Sequence, residues 1–370
     1  MGIYGYTYGY IFNIWVFMGI FMGMRINSLH ITPEILQIIT AIDEFKGTWK
    51  VLGNLAPDQL TSLRRVATIE SIGSSTRIEG SKLSDKKVEE LLANLQIQKF
   101  DHRDEQEVAG YAEVMNTIFE NYEEIPLTEN YIRQLHKELL KHSNKDYRHR
   151  GEYKKHSNQV EAFDHQGKSV GIIFVTASPF DTPSRMEHLI KWTNKELASG
   201  KIHCLLIIAV FVVEFLAIHP FQDGNGRLSR VLTTYLLLKT GYTYVPYSSL
   251  EAIVEHNKEK YYLSLRQTQG TLESDTPDWQ PWITFFLKAL KNQKQKLEAK
   301  LEREYLLLGQ LAPLSQTILE LVVSRGQITI SEIVTTSAAN RNTVKKHLEN
   351  LVQNGQIKKH GVGKGTYYTR

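Results

Sequence analysis

Twelve consecutive residues, His219-Pro220-Phe221-Gln222-Asp223-Gly224-Asn225-Gly226-Arg227-Leu228-Ser229-Arg230, combine more reactive and permissive groups than any other stretch of this chain. His219 is a base suited to neutral pH. Asp223 is a hard oxygen ligand of the kind that takes magnesium. Gly224 and Gly226 carry no side chain, so backbone there can approach a phosphate closely. Arg227 and Arg230 are three apart, hence on one helical face, where they form a two-pronged clamp for an oxyanion. These residue types serve one chemistry, a magnesium–polyphosphate held beside a histidine base. The competing reading, a helix–loop–helix whose polar residues only cap the ends, leaves that coincidence of groups unexplained.

The elements that must position these residues are legible on either side. Leu205 to Ile218 is an apolar run long enough for a buried helix, and Leu228 to Leu238 is a second. The polar stretch is therefore a loop between two core helices, and its end forms the start of the second. A helix start offers unpaired N–H groups and the positive end of the dipole, both of which favour an anion.

At these residues the chain resembles the Fic family, whose signature H-P-F-x-D-G-N-G-R-x-x-R it matches at all nine specified positions. The resemblance implies a mainly α fold, a Fic-type helical bundle with a β-hairpin flap. It also implies transfer of AMP from ATP to a Ser, Thr or Tyr hydroxyl of a target protein, itself included. His219 would be the base and Asp223 the magnesium ligand. Gly224, Asn225, Gly226, Arg227, Leu228, Ser229 and Arg230 would line the nucleotide site. Some relatives move phosphocholine or phosphate instead, but the Doc-like kinases depart from the phosphate-site signature, whereas Gly226 and Arg230 are intact here. Two other functions stand beside AMP transfer: removal of AMP on the same site, and a nucleotide-sensing regulator that binds DNA. A scaffold with a dead site fits least, since every reactive residue is kept.

Three further segments gain meaning from the resemblance. Ser75-Thr76-Arg77-Ile78-Glu79-Gly80 resembles the inhibitory motif [S/T]-x-x-x-E-[G/N], which implies that Glu79 pairs with Arg230 and removes it from phosphate binding. By itself, a serine and a glutamate four apart read as a solvated helix face. Val170 to Ser178 is short and β-branched, which suits a strand or hairpin. At this place in the family a hairpin holds the target peptide by strand addition. Asn257-Lys258-Glu259-Lys260-Tyr261-Tyr262 resembles the N-x-x-x-Y-Y that the family usually shows near here, and the resemblance implies an adenosine contact by Asn257. Its plain reading is a surface asparagine beside core tyrosines.

The 370 residues accommodate two or three domains, and a net charge of +4 does not by itself point to nucleic acid. A single cysteine, Cys204, excludes an intrachain disulfide and a multi-cysteine zinc site. Residues 1–24 are uncharged and nearly all apolar from Ile11 to Met22. They read as upstream sequence before a true start at Met18, Met22 or Met24, as a membrane anchor, or as a packed extension. The expected location is cytoplasmic, or membrane-anchored if that segment is translated. Residues 25–125 read as an N-terminal helical region, with Ile35, Ile38, Ile39 and Ile42 on one apolar face after Thr32-Pro33. Residues 126–290 form the expected catalytic core and 291–310 a charged helical linker. Residues 311–370 read as three helices and a hairpin, the order of a winged helix-turn-helix. From Asn340 to Arg370 seven basic residues face Glu349 alone, a net +6. That charge suits DNA phosphates, and a protein-docking or dimerising module is the equal alternative. The expected partners are thus ATP, a target protein along Val170–Ser178, DNA or protein at the C-terminal module, and a second copy of the chain.

Overall fold

The computed structural model describes residues 26–52, 57–94, 100–163, 169–309 and 313–370. Residues 1–24, and with them the choice between anchor, extension and upstream sequence, lie outside the described residues. Contacts divide the chain into two compact units, Met1–Lys294 and Gln295–Arg370, with the division inside the charged stretch expected to be a linker.

The first unit is helical. In chain order it contains α1 (Pro33–Leu52), α2 (Pro57–Ile78), α3 (Asp85–Ala93), α4 (Arg103–Asn121) and α5 (Glu129–Leu139). A hairpin of β1 (Gln159–Phe163) and β2 (Ser169–Val175) follows. Then come α6 (Thr182–Ser199), α7 (Cys204–Ile218), α8 (Asn225–Lys239), α9 (Leu250–His256), α10 (Lys258–Gln269) and the first half of α11 (Gln280–Gly309), within which the division falls. Helix α7 is apolar all round but for Glu214, and twelve of its residues are buried. Such a helix must be sheathed by others. Trp282 of α11 donates its indole N–H to the Ala209 carbonyl at 2.7 Å from within that sheath. No helix among the described residues is long and apolar enough to cross a membrane. The isoleucine face expected at the start of α1 is buried, and Phe45 and Trp49 continue it. Asp43 of the same helix accepts from Tyr242 Oη at 2.7 Å and lies 2.9 Å from His203 Nε2, tying α1 to both ends of the α7–α8 pair.

Two boundaries differ from the sequence reading in ways that matter. The sequence predicts a helix over about Pro57 to Ile72, whereas α2 runs to Ile78, so Ser75 is helical and Glu79 sits in the turn that follows. The sequence also predicts one helix over Glu251 to Gln267, and the structure has two, α9 and α10, broken at Asn257. Asn257 Nδ2 donates to the Ile253 carbonyl at 2.9 Å, a local side-chain bond that competes with continued helix.

The second unit contains α12 (Pro313–Arg325), β3 (Ile328–Thr329), α13 (Ile330–Ser337), α14 (Arg341–Gln353), β4 (Lys358–His360) and β5 (Tyr367–Thr369). The strands form an antiparallel sheet in the order β3-β5-β4. Ile318, Val322, Ile328, Ile333, Val344, Leu348, Leu351 and Tyr368 make its core. Helix α13 starts in a capping box, in which Thr329 and Glu332 satisfy each other's backbone N–H.

Candidate active site

The signature loop joins α7 to α8 and is held by a network confined to a few residues. Helix α7 ends with His219 in the left-handed region at φ 52°. That turn takes the chain out of the helix and presents the imidazole at its end. Asn225 then grips Phe221 from both sides: its Oδ1 accepts from the Phe221 N–H at 2.9 Å and its Nδ2 donates to the Phe221 carbonyl at 2.7 Å. The Asn225 side chain is thus committed to the loop, and only its backbone faces other uses. Phe221 is fully buried and stacks on His136, with ring centroids 3.8 Å apart and planes 10° apart. Gly224 takes φ 80°, so the chain enters α8 at Asn225, earlier than the apolar run beginning at Leu228 suggests. The first N–H groups of α8 are therefore those of the Gly-Asn-Gly-Arg segment itself.

His136 was not singled out by sequence reasoning, where it passes as one polar residue of an amphipathic helix. Its ring is 0% exposed. The Gly151 N–H donates to Nδ1 at 2.9 Å, so Nε2 carries the proton and donates to the Asp223 carbonyl at 3.0 Å. Burial lowers its pKa to about 4, keeping the ring neutral.

His219 lies 3.2 Å through Nδ1 from the Leu216 carbonyl. A carbonyl only accepts, so Nδ1 holds the proton and the lone pair is on Nε2, as a base requires. Burial lowers this imidazole's pKa to about 4 as well, so it is in the proton-accepting form at neutral pH.

Arg227 is 2% exposed, and its Nη2 reaches Asp223 Oδ1 at 3.2 Å. Its Nη1 is 3.4 Å from Glu107 Oε2, yet Nη1 and Nε both lack a hydrogen-bond partner. Donors this deeply buried without a hydrogen-bond partner are costly, and a water or an anion would satisfy them. The other Asp223 oxygen accepts from Arg103 Nη2 at 3.3 Å. Burial raises the Asp223 pKa, but Arg227, the Gly224 N–H and Arg103 outweigh it and hold the carboxyl below its usual range. Among the described residues no group of three or more His, Cys, Asp or Glu is placed to hold a metal. Leu228 is buried in the core, and Ser229 Oγ donates to the Gly226 carbonyl at 2.7 Å.

Glu79 meets this loop from the end of α2. Arg230 Nη2 donates to Glu79 Oε1 at 2.8 Å, while Arg230 also donates to Ser75 Oγ at 2.8 Å and to the Ser75 carbonyl at 2.9 Å. The Glu79 carboxylate lies over Gly226, where any Cβ would collide with Oε1. It thus sits beside the first turn of α8, where the helix dipole and N–H groups favour a negative charge. Burial raises its pKa, and Arg230, with Arg227 and His219 behind it, outweighs burial and lowers it overall. The segment is steadied one turn back, where Arg77 pairs with Glu255 at 2.7 Å and with Asp85 at 2.9 Å. Behind Ser75 lies Tyr111, fully buried, donating to Glu251 at 3.2 Å.

The hairpin is stapled to the loop at its base. Lys154, 3% exposed, donates from its backbone to the Pro220 carbonyl at 2.8 Å. Its Nζ donates to Asn158 Oδ1, Thr176 Oγ1 and the Ile218 carbonyl, each at 2.9 Å. Asn158 Nδ2 donates to the Phe221 carbonyl at 2.9 Å, and Tyr153 pairs with Phe221 as an isolated bridge. Burial lowers the Lys154 pKa to about 8. Of the residues expected in the site, His219, Asp223, Gly224 to Arg230 and Glu79 are brought together. Asn257 marks the break between α9 and α10.

A helical bundle with this loop, this hairpin and this glutamate defines a class. Residues 126–237 match the model of the Fic/DOC family, and the chain carries a Fic domain. Over 144 residues it is 31% identical to the protein adenylyltransferase Fic of Drosophila melanogaster, a match covering 39% of this chain and 25% of that protein. The chain therefore spans about a quarter of the length of the curated relatives it matches. In fold it is similar to a Fic family protein from Desulfovibrio desulfuricans G20, with TM-score 0.60, 21% identity, and coverage of 92% of this chain and 97% of that one. It is also similar to a Fic domain containing signaling protein from Bacteroides thetaiotaomicron, with TM-score 0.56, 26% identity, and coverage of 69% and 94%.

Proposed function

We propose that this protein transfers AMP from ATP to a hydroxyl of a protein, and that Glu79 restrains the reaction. The observation that carries the reading is the two buried nitrogens of Arg227, Nε and Nη1, that lack a hydrogen-bond partner at the start of α8, on the same loop as a histidine whose lone pair is on Nε2. The name carried by the curated relatives, protein adenylyltransferase, supports it.

In the proposed reaction the target's hydroxyl oxygen attacks the α-phosphorus of ATP. One P–O bond forms, the α–β anhydride bond breaks, and pyrophosphate leaves. The hydroxyl proton passes to His219 Nε2 and from there to solvent. Backbone N–H groups of the Gly224–Arg227 turn and the Arg227 donors hold phosphate oxygens, a preorganised anion site. Arg230 grips the leaving pyrophosphate once Glu79 releases it. Asp223 suits magnesium, which is commonly held by one or two carboxylates together with substrate phosphates, and which would neutralise charge on the leaving group. Arg103 and Arg227 now share that carboxylate and must yield part of it. Strands β1 and β2 form a two-stranded sheet, so a target segment can add as a third strand by backbone hydrogen bonds.

The test compares two labels. Glu79→Gly protein is incubated with a cell lysate and ATP labelled at the α- or the γ-phosphate. Label from the α position is expected on protein, with pyrophosphate released and no γ-label retained. Protein-bound γ-label would replace AMP transfer by phosphate transfer, and absence of both would end the proposal.

A further inference from the structure

We propose that the C-terminal unit binds double-stranded DNA, with α14 in the major groove and the β4–β5 hairpin against flanking phosphates. Helices α13 and α14 are separated by three residues, Ala338, Ala339 and Asn340, with Ala338 in the left-handed region at φ 52°. That is the short turn of a helix-turn-helix, in which the second helix enters the groove. Val344, Leu348 and Leu351 bury one side of α14 in the unit's core. The opposite side presents Asn342, Lys345, Lys346, Glu349, Asn350 and Gln353, all exposed and none apolar. At 13 residues the helix is about 20 Å long, a fit to a groove about 12 Å wide.

The chemistry of that face chooses between two classes of partner. A protein interface is built around buried apolar or aromatic anchors. Among the described residues of this unit the one large exposed hydrophobic residue is Val362, in the β4–β5 turn and not on α14. Asn, Gln, Lys and Glu are the side chains that read base edges. Around them stand Arg341, Lys358, Lys359 and Arg370, all exposed, with Lys358 and Lys359 on the edge strand of the sheet. None of these basic residues, nor Lys345 or Lys346, forms an ion pair among the described residues. Among the described residues they are charges without an ion-pair partner, carried by one helix, by the edge strand β4 and by the C-terminal residue. Lysines that served only to keep an edge strand soluble would produce no counterion release on adding DNA.

The full-length protein is titrated into a fluorescent random-sequence duplex of about 20 base pairs, followed by anisotropy from 50 to 300 mM KCl. With roughly five phosphate contacts, log K is expected to fall against log salt with a slope of about −4 to −5. The double variant Lys345→Glu, Lys346→Glu is expected to bind at least about 10-fold more weakly with a shallower slope. Lys358→Gln with Lys359→Gln should weaken all sequences equally. Lys195→Glu, an exposed change on α6, should bind as the parent does. Unchanged melting temperatures confirm that the variants fold. No binding at 50 mM salt, parent-like binding by the double variant, or tighter binding of single-stranded RNA than of the duplex would each overturn the proposal.

Discussion

Two segments reach the α7–α8 loop from outside it, and opposite kinds of force hold them there. The end of α2 is held by charge. Glu79 meets Arg230 at 2.8 Å, and about a third of its side chain remains exposed at 32%. The base of the hairpin is held by backbone and largely neutral groups: Lys154 N–H on Pro220, Asn158 on Phe221, and Ala177 N–H on the Ala217 carbonyl at 3.3 Å. A polyphosphate offers Arg230 what Glu79 offers it, so the first contact is replaceable. Nothing in a nucleotide replaces the acceptors that Lys154 and Asn158 use. The difference separates a latch from a staple, and the variants below can break that distinction.

The largest effect belongs to neither segment. His219→Ala is expected to lower transfer of α-label by about 1000-fold, a typical loss for general base catalysis, with ATP binding unchanged. Retained transfer would move the chemistry out of the loop and dissolve the comparison. Next comes the latch. Glu79→Gly is expected to raise the rate by about 10–100-fold, the equivalent of roughly 1.4–2.7 kcal/mol, with only a small change in ATP affinity by calorimetry. An unchanged rate would show that the Arg230 contact restrains nothing. The staple should behave otherwise. Lys154→Met is expected to lower kcat/KM for the protein target by about 10-fold with ATP affinity intact, and Lys154→Arg should recover part of it. Equal losses for both substrates would make Lys154 a general packing residue.

The last effect concerns pH and falls on stability rather than on rate. The His136 pKa is lowered to about 4 from the usual value near 6.5. The unfolded chain therefore binds the proton first as pH falls. Stability from the neutral ring is fully present above about pH 6.5 and is lost progressively down to about pH 4, by up to about 3 kcal/mol. His219 shares that window. His136→Gln cannot titrate, and urea midpoints at pH 7 and pH 5 should differ less in the variant than in the parent. An unchanged difference would remove His136 from the acid-sensitive set.

The loop was legible because its chemistry is contiguous: base, carboxylate, glycines and arginines lie within one turn and one helix start. Glu79 was legible only as a motif, and its place over Gly226 depends on how far α2 runs, which no breaker residue announces. Arg103, Glu107, His136 and Lys154 were not legible. Each looks like an ordinary polar residue until the fold puts it beside Asp223, Arg227, Phe221 or Ile218. The break at Asn257 carried no glycine or proline signal. Strand β3 is two residues long, too short to show alternation, and it gains its identity only by pairing with β5.

Arg227 keeps Nε and Nη1 without a hydrogen-bond partner, whereas Ser75 and Glu79 hold Arg230 through Nε and Nη2 and leave only its Nη1 so. Under the proposed function, one arm of the clamp is thus more available than the other, which the latch holds. Nucleotide can then be taken up before the latch opens, with its terminal phosphates unaligned for departure. The resting protein would be a loaded but idle complex, and any signal that moves Glu79 would be answered in the time of a side-chain rotation rather than of a diffusional encounter with ATP.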